Sequence, residues 1–362
     1  MASVHCFGVG LVGSYVAKKL AQAGYHVHAY DPRPDRVLGV SGVSVYNMGK
    51  NDNPLDVMID RVLHGDPSSF DSQESIIVNM LPGEIGHKIT EALSNFPWRV
   101  VDLSFSEQTP DASHDKAIQS GSSILWDTGI APGLSNMLMA QAFRTMGRLL
   151  NGIVRVGGNP TNPDSGWSYM APFSPNDVIA EYTRPARVIR GSREAILPAL
   201  SEIHEIDVPE MGTMEAFLTD GLRSLIHSIP SEELSEYTIR WPGHIQKFVG
   251  IRDSGLIDHD ELTNEWKYDP SIPEFTWMEV IAEGSEGNTM SWTVNDHGRT
   301  DGHSMARCTG LVTIFCIQEW FQNPYLLGPG VHAPESLPSE VIERIISKMI
   351  SEGVQINGPV VN

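Results

Sequence analysis

Three glycines near the amino terminus have the spacing of a loop that binds phosphate. The motif reads Gly8-Val9-Gly10-Leu11-Val12-Gly13. It follows a short apolar run with strand character and opens a segment with helical periodicity. In such a motif the first glycine permits a tight turn, the second lets the backbone approach a pyrophosphate, and the third lets helix and strand pack closely. The unbonded N–H groups at the start of the helix would hold the phosphates, so we expect a dinucleotide to bind here.

An acidic residue closes the next predicted strand. Asp31 stands 18 positions after Gly13, where a carboxylate that binds the ribose hydroxyls is expected. Because a carboxylate would repel the 2′-phosphate of NADP, the predicted cofactor is NAD, with NADP less favoured. Arg33 and Arg36 follow closely and leave some use of NADP open. The alternative is a glycine-rich turn with an aspartate that caps it.

Further loops stand where predicted strands end, and small or polar residues occupy them. Leu81 and Pro82 follow one strand, and Ser104 follows the next. Because ligands of a parallel sheet bind at the carboxyl ends of its strands, we expect these residues to contact the cofactor. Pro-Gly is also an ordinary turn dipeptide, which is the alternative. Ile130 and Ala131 begin a stretch of small residues whose backbone could approach the nicotinamide closely.

Three arginines are candidates for binding a carboxylate. Arg184 and Arg187 lie close together in a predicted helix-to-strand turn, and Arg223 follows further along the chain. A planar guanidinium suits bidentate capture of the α-carboxylate of an amino acid. In a chain this acidic, ion pairing with Glu181 or another carboxylate is the alternative. Asp220 beside Arg223 could be its ion-pair partner.

Four residues are candidates for catalysis at a carbon that bears an amine. Asp127 ends a predicted strand and could orient the amine or the nicotinamide amide, although a helix cap is the alternative. Tyr182 could donate a hydrogen bond near the reacting carbon, or it could be a core tyrosine. His227 and His244 are candidate bases because histidine titrates near neutral pH. Each could instead be a structural hydrogen-bonding group. No spacing typical of metal ligands is present, and no metal is expected.

The elements that would position these residues fall into two domains. Over residues 1–130, strand-like and helix-like segments alternate, and the strands are nearly continuous apolar runs. That rhythm predicts an α/β domain with a Rossmann-type, doubly wound parallel sheet covered on both faces. This domain would bind the dinucleotide.

The segment 131–304 has a different texture and predicts a second, α+β domain for substrate binding and oligomerisation. We expect glycine-rich strands around Val154–Gly158 and Trp167–Ala171, and an antiparallel hairpin formed by Thr276–Ile281 and Thr289–Val294. The mixed elements predict a mixed or antiparallel sheet. The C-terminal helices, within about 305–362, are expected to return to the first domain.

Composition restricts the classes of function. A chain of 362 residues suggests two domains. Acidic residues outnumber basic ones 45 to 25, and the net charge of −20 disfavours binding to nucleic acid or to an anionic membrane. Three cysteines argue against a disulfide scaffold, and neither a signal peptide nor an apolar run of membrane-spanning length is visible. These features predict a cytoplasmic protein.

Beyond the glycine motif, four segments occur in an order typical of one family. They are Asp127–Asn136, Glu181–Val188, Thr219–Ser224 and Arg240–His244. With them the chain resembles the saccharopine dehydrogenase-like superfamily over nearly its whole length, and within it the lysine 6-dehydrogenases most closely. The resemblance implies NAD-dependent oxidative deamination of the side-chain amine of L-lysine or a close diamino acid, whose product aldehyde cyclises to a piperideine carboxylate. It also implies a homodimer or homotetramer.

Two other functions remain open from the sequence. One is a reductase of the same superfamily that joins an aldehyde to an amine, as in the formation of saccharopine or carboxynorspermidine. The other is a non-catalytic dinucleotide-binding sensor that keeps the fold without the chemistry.

Overall fold

The computed structural model describes residues 2–64, 74–255 and 257–361. It divides into two compact units, each built from two stretches of chain. The first comprises Met1–Gly129 and Thr309–Val341, and the second comprises Ile130–Cys308 and Ile342–Asn362.

The elements are numbered here in chain order. The strands are β1 (Ser3–Phe7), β2 (His26–Tyr30), β3 (Val43–Tyr46), β4 (Ser75–Asn79), β5 (Arg99–Asp102), β6 (Ser123–Trp126), β7 (Leu149–Pro160), β8 (Ala186–Arg190), β9 (Arg193–Leu197), β10 (His204–Val208), β11 (Gly212–Leu218), β12 (Ser231–Arg240), β13 (Glu274–Gly284), β14 (Thr289–His297), β15 (Gly330–His332) and β16 (Gln355–Val361). The helices are α1 (Leu11–Gln22), α2 (Pro54–His64), α3 (Gly83–Leu93), α4 (His114–Ser120), α5 (Leu134–Met146), α6 (Pro175–Thr183), α7 (Leu225–Ser228), α8 (His244–Asp253), α9 (His259–Glu265), α10 (Ser304–Gln322) and α11 (Ser339–Ser351).

The first unit contains the predicted parallel sheet. Seven strands lie in the order β15-β6-β5-β4-β1-β2-β3, and each neighbouring pair is parallel. Every residue of β1 and of β4 is buried, as expected for central strands covered by helices on both faces. The strand order reverses between β1 and β4, and such a switch point is where a doubly wound sheet binds its ligand. The predicted α/β fold class is confirmed.

The second unit contains the predicted mixed sheet. Its main path is β10-β11-β12-β7-β13-β14-β16, with β8 pairing to β12 and to β9. Only the β7–β12 pair among the described strands of this sheet is parallel. The expected hairpin of β13 and β14 is present, with Val280 opposite Trp292. Buried apolar side chains of β8, β10, β11, β12 and β13 form one hydrophobic cluster of this unit.

One predicted strand is wrong. Trp167–Ala171 forms no strand, because Ser168 adopts a left-handed backbone conformation with φ of 50°. The Ser168 N–H donates a hydrogen bond to the side chain of Asp164 at 2.8 Å, and the Ser168 hydroxyl donates to the carbonyl of Asp164. These local bonds stabilise a turn and remove the backbone groups that a sheet would use.

The predicted return of residues 305–362 to the first unit is wrong at its C-terminal end. α10 starts in the second unit and continues into the first, whereas Ile342–Asn362 belongs to the second. There β16 pairs with β14 and covers an edge that would otherwise expose unpaired N–H and C=O groups. Arg299 and Arg307 reinforce this placement, because their guanidinium groups donate to the carbonyls of Gly353 and Glu352.

Over the described part of the chain, none of the helices combines the length and the apolar character needed to cross a bilayer.

Candidate functional site

The glycine motif forms a close turn between β1 and α1. Gly8 has a φ of 87°, and a Cβ atom on it would lie 2.9 Å from the carbonyl oxygen of Met80. A Cβ atom on Gly13 would lie 2.3 Å from the carbonyl oxygen of Gly8. Both positions therefore require glycine, one for its backbone conformation and both for close packing.

The third glycine of the motif has a different environment. Gly10 is exposed, and a Cβ atom on it would meet no other atom within 4 Å. It precedes α1, and no side chain caps the helix there. The N–H groups of the first turn, which starts with Leu11 and Val12, therefore have space for an anion. This open backbone at a helix N-terminus fits the pyrophosphate of a dinucleotide.

Asp31 supports the same loop from the end of β2. Its Oδ2 atom accepts a hydrogen bond from the N–H of Val9 at 2.7 Å, and its Oδ1 atom accepts one from the N–H of Arg33 at 2.7 Å. A carboxylate has about four lone-pair positions, so these two bonds leave capacity for ribose hydroxyls. Asp31 thus stabilises the turn, as the structural alternative expected, and its carboxylate also fits the predicted ribose contact.

The next two loops at this edge of the sheet contact each other. Leu81 and Pro82 connect β4 to α3, and Ser104 lies just beyond β5. A Cβ atom on Gly83 would lie 1.9 Å from the carbonyl oxygen of Phe105, and one on Gly86 would lie 2.3 Å from the Cβ of Ser104. The first turns of α3 can approach the β5 loop this closely only because both positions are glycine.

A buried chain of hydrogen bonds joins these loops. The Asn79 side-chain amide donates to the Thr90 hydroxyl at 2.9 Å, and that hydroxyl donates to Asp102 Oδ2 at 2.9 Å. Asp102 Oδ1 accepts from the N–H of Ser104 at 2.8 Å. Burial raises the pKa of the Asp102 carboxyl to about 6, although hydrogen bonds from Ser104 and Thr90 oppose the shift.

Asp127 lies beside this chain, just beyond β6. It is buried and has a left-handed backbone with φ of 53°. The next residue, Thr128, donates its N–H to the carbonyl of Asp102, and the Thr128 carbonyl accepts from the hydroxyl of Thr313 in α10. The negative charge of Asp127 contributes to the raised pKa of Asp102. Two acids thus end neighbouring strands of the first sheet.

Ile130 and Ala131 are the first residues of the second unit. Ile130 is buried, and its carbonyl accepts a hydrogen bond from the N–H of Ser135 at 2.9 Å. The turn that they begin leads into α5.

Two of the three predicted carboxylate-binding arginines pair with one aspartate in the second unit. Asp220 is buried and accepts two hydrogen bonds from the Arg187 guanidinium, both at 2.9 Å. Arg184 Nε lies 3.0 Å from Asp220 Oδ2. Arg223 is fully buried, and its positive charge acts on Arg184. Asp220, which was expected as an ion-pair partner of Arg223, forms ion pairs with Arg187 and Arg184, which follow α6.

Charges around Arg184 partly compensate its burial. Burial lowers the pKa of Arg184, the charges of Asp220 and Glu181 raise it, and those of Arg223 and Arg187 lower it further. Burial likewise raises the pKa of Glu181, which accepts a hydrogen bond from Thr238 at 2.9 Å. We call these five ionisable residues, Arg184, Arg187, Arg223, Asp220 and Glu181, the arginine cluster.

Tyr182 and His244, both predicted to be catalytic, contact each other together with Arg240. Arg240 Nε donates to the Tyr182 hydroxyl at 2.8 Å, and that hydroxyl lies 3.1 Å from His244 Nε2. His244 Nδ1 lies 2.9 Å from the carbonyl oxygen of Trp167, which only accepts. Nδ1 therefore carries the proton, Nε2 accepts, and Tyr182 donates to it.

We call Arg240, Tyr182 and His244 the triad. Tyr182 and His244 are both neutral near pH 7. Burial and the nearby Arg240 charge lower the pKa of His244 to about 3. Burial raises the pKa of Tyr182 well above its usual value, against the opposing charge of Arg240. The rings of Trp167, Tyr169 and Trp266 pack edge-on or tilted against His244. Neither His244 nor Tyr182 therefore exchanges a proton near neutral pH.

The remaining candidate, His227, is exposed in the short helix α7. His227 is not part of the Arg240–Tyr182–His244 triad. Within the described ranges, no group of three or more His, Cys, Asp or Glu side chains is arranged to hold a metal ion.

Sequence reasoning missed three residues that organise these sites. Arg240 stands in one of the segments that carry the family resemblance, and Asp102 ends the strand before Ser104, so both had a usable signal. Thr90 had none, because it lies inside α3 and its hydroxyl faces a strand end that the sequence does not place.

The parallel sheet, the glycine turn and the acidic end of β2 define the first unit as a Rossmann-type α/β fold. The chain belongs to the family of the saccharopine dehydrogenase C-terminal domain, which matches residues 129–354. Apo saccharopine dehydrogenase (L-Glu forming) from Saccharomyces cerevisiae is 13% identical and superposes with a TM-score of 0.75 over 99% of each chain. Homospermidine synthase from Legionella pneumophila, solved in complex with NAD, is 13% identical with a TM-score of 0.69, over 98% of this chain and 91% of that one. At these identities the likeness shows the shared fold. The predicted superfamily is confirmed, and lysine 6-dehydrogenase stays a prediction.

Proposed function

We propose that the protein is an NAD-dependent dehydrogenase that oxidises the side-chain amine of L-lysine or of a close diamino acid. The observation that carries the proposal is the arginine cluster of the second unit. The guanidinium groups of Arg184 and Arg187 pair with the buried carboxylate of Asp220, and burial of such groups is favourable only when their charges are compensated.

The charge of the cluster supports a substrate with one carboxylate. Arg184 and Arg187 share the acid Asp220, and the like charges of Arg223 and Arg187 act on Arg184. An α-carboxylate would neutralise one such charge and could accept bidentate hydrogen bonds from a guanidinium. Saccharopine carries three carboxylates, so its formation would need carboxylate-binding groups beyond these arginines. The proposal therefore favours a diamino acid with a single carboxylate.

Residues of the first unit would hold the cofactor. The open helix start after Gly10 would bind the pyrophosphate, and Asp31 would bind the ribose hydroxyls and repel a 2′-phosphate. When bound, NAD accepts a hydride from the carbon that bears the amine. We expect NAD to be preferred over NADP for this reason.

Two of the predicted catalytic side chains receive a different role. We assign Tyr182 and His244 to positioning, because both are neutral over the working range and are enclosed by aromatic rings. Their hydrogen bonds fix the end of α6, from which Arg184 follows directly. Among the sequence-predicted catalytic residues, Asp127 remains the candidate for orienting the amine.

The test is NADH formation by the purified full-length protein with NAD and L-lysine, followed by absorbance. The product should be trapped as a cyclic piperideine carboxylate, and ornithine, which is one methylene shorter, should react more slowly. A protein that forms no NADH from diamino acids, but consumes NADH when given an aldehyde and an amine together, would contradict the proposal. That result would establish the reductase alternative. A folded protein that binds a dinucleotide but turns over neither diamino acids nor an aldehyde–amine pair would favour the non-catalytic sensor.

A further inference from the structure

The hydrogen-bonded chain at the carboxyl edge of the first sheet ends on backbone N–H groups of two loops. Asn79 Oδ1 accepts from the N–H of Leu81 at 3.3 Å, and its amide nitrogen donates to Thr90 at 2.9 Å. Thr90 donates to Asp102, which accepts from the N–H of Ser104. We call the three side chains Asn79, Thr90 and Asp102 the polar brace.

All three side chains of the polar brace are buried. Asn79 is 0% exposed, and Thr90 and Asp102 are each 1% exposed. A buried carboxyl is unfavourable unless its hydrogen bonds are made, and an apolar side chain of similar size would avoid that cost. The two loops it joins also touch directly at Gly83 and Gly86, where a Cβ atom would overlap the β5 loop. Local stability alone therefore gives no reason for these polar residues.

The location of the brace gives a reason. The first of its two loops packs against the glycine motif. A Cβ atom on Gly8 would lie 2.9 Å from the Met80 carbonyl oxygen, and the Met80 N–H donates to the Phe7 carbonyl at 2.8 Å. The glycine motif, the β4 loop and the β5 loop thus form one continuous set of backbone segments beside the switch point. Their relative positions decide how many N–H groups and small side chains can reach a dinucleotide together.

We propose that Asp102 is a positioning residue for the dinucleotide, and that with Asn79 and Thr90 it aligns the β4 and β5 loops for cofactor binding. The inference rests on the proposed binding of NAD to the first unit. Asp102 acts through Leu81 and Ser104, and it contacts no reacting atom itself.

The test measures NADH affinity of the full-length protein by fluorescence titration, so that it does not depend on turnover. Thr90→Val removes the central hydroxyl with little change of shape and should weaken NADH binding about tenfold, the equivalent of one lost hydrogen bond to a charged group. Thr90→Ser keeps the hydroxyl and should bind nearly as the wild type does. Thr145→Val is the matched control, because Thr145 is exposed on α5 and its hydroxyl bonds only within that helix.

Two further variants separate positioning from loss of folding. Asp102→Asn should also bind NADH about tenfold less tightly, with a raised KM for NAD and an unchanged KM for lysine. Gly86→Ala should do the same without altering any polar group, since its methyl group would displace Ser104. If Thr90→Val is unfolded, NADH binding by the Asp102→Asn and Gly86→Ala variants decides whether the polar brace positions the loops.

The outcomes are distinct. Folded Thr90→Val and Asp102→Asn variants that bind NADH as tightly as the wild type would overturn the inference and leave the proposed function standing. Equal rises in KM for NAD and for lysine would also overturn it, because they would indicate general loosening. A folded wild-type protein without affinity for NADH or NADPH would overturn the proposed function and this inference with it.

Discussion

Buried ionisable groups behave in opposite ways in the two units. At the carboxyl edge of the first sheet, burial brings the pKa of Asp102 up to about 6, close to neutrality. In the second unit, burial lowers the pKa of His244 to about 3 and raises the pKa of Tyr182 well above its usual value. Desolvation disfavours the charged form in all three cases, so an acid moves toward neutral pH while a base and a phenol move away from it. Residue type alone therefore misleads about which group can titrate.

The two regions also differ in how open their backbone is. Around Gly10 the first unit leaves space beside uncapped helix N–H groups. Around His244 the second unit is closed by aromatic rings, and each hydrogen-bonding atom of the Arg240–Tyr182–His244 triad described above has a partner within the unit. The first arrangement suits a ligand, and the second suits a fixed support for the arginine cluster.

The largest effect is expected at the glycine motif. Gly13→Ala would place a methyl group 2.3 Å from the Gly8 carbonyl oxygen and should distort the turn, lowering the melting temperature and weakening NADH binding about 100-fold or more. Gly10→Ala meets no atom within 4 Å, so its stability should be unchanged while its methyl group obstructs the pyrophosphate. Calorimetry and NADH titration of both variants check this. Tight NADH binding by Gly10→Ala would show that the pyrophosphate does not bind at that position.

Loss of the central acid of the arginine cluster should be nearly as severe. Asp220→Asn leaves Arg184 and Arg187 close together without their shared counter-ion, and breaking a buried pair of this kind costs about 3 kcal/mol or more. We expect denaturant unfolding at markedly lower concentration. Arg252 pairs with Asp253 at the surface, so Asp253→Asn is the control and should have almost no effect. Equal stability of the two variants would mean that the cluster is well solvated.

Asp102 should make stability depend on pH in an unusual direction. Its pKa in the folded protein, about 6, lies above the ordinary value of 3.8, so folding favours the protonated form. The stability it contributes is complete below about pH 4 and is lost as the pH rises through about 6. Asp102→Asn is neutral throughout, and its stability relative to the wild type should rise by about 3 kcal/mol from pH 4 to pH 7.

Thermal unfolding of both proteins at several pH values measures this difference. Asp115→Asn, on the exposed first turn of α4, is the control. A constant difference between Asp102→Asn and wild type would show that Asp102 titrates normally. If Asp102→Asn gains stability with rising pH and also binds NADH less tightly, then Asp102 positions the loops for the cofactor and does not serve mainly to stabilise the fold.

The smallest effect is expected at the triad. Tyr182→Phe removes one hydroxyl and should lower kcat less than about tenfold, the scale of a single neutral hydrogen bond. Because Tyr182 and His244 stay neutral, the pH profile of kcat/KM between pH 6 and 9 should keep its shape. Tyr169→Phe, from the same aromatic wall, is the matched control. Disappearance of one limb of the profile in Tyr182→Phe alone would restore an acid–base role.

The sequence was most informative where contacts are local. The turn at Gly8, the start of α1 and the support by Asp31 depend on backbone conformation and on residues within one β-α-β unit, and motif spacing reports these directly. The parallel sheet was equally predictable, because strands buried on both faces are nearly continuous apolar runs.

Partners distant in sequence could not be predicted. Asp220 pairs with Arg187, 33 residues earlier in the chain, and with Arg184, because strand pairing in the second sheet rather than sequence proximity brings these charges together. Arg240 meets Tyr182 for the same reason. The role of β16 was missed because an exposed edge strand at the chain end has no apolar alternation to identify it.

The most direct test of a carboxylate-binding arginine cluster compares L-lysine with cadaverine, which has the same amine chemistry and no carboxylate. We expect kcat/KM for lysine to exceed that for cadaverine roughly 30- to 1000-fold, from loss of charged hydrogen bonds in a desolvated site. In Arg184→Ala the ratio should collapse toward one, because the substrate carboxylate loses its guanidinium partner. Asp220 keeps Arg187 as its partner, so the fold should be retained. The surface variant Arg252→Ala should preserve the ratio. Equal use of lysine and cadaverine by the wild type would contradict the central claim that this cluster selects an amino acid.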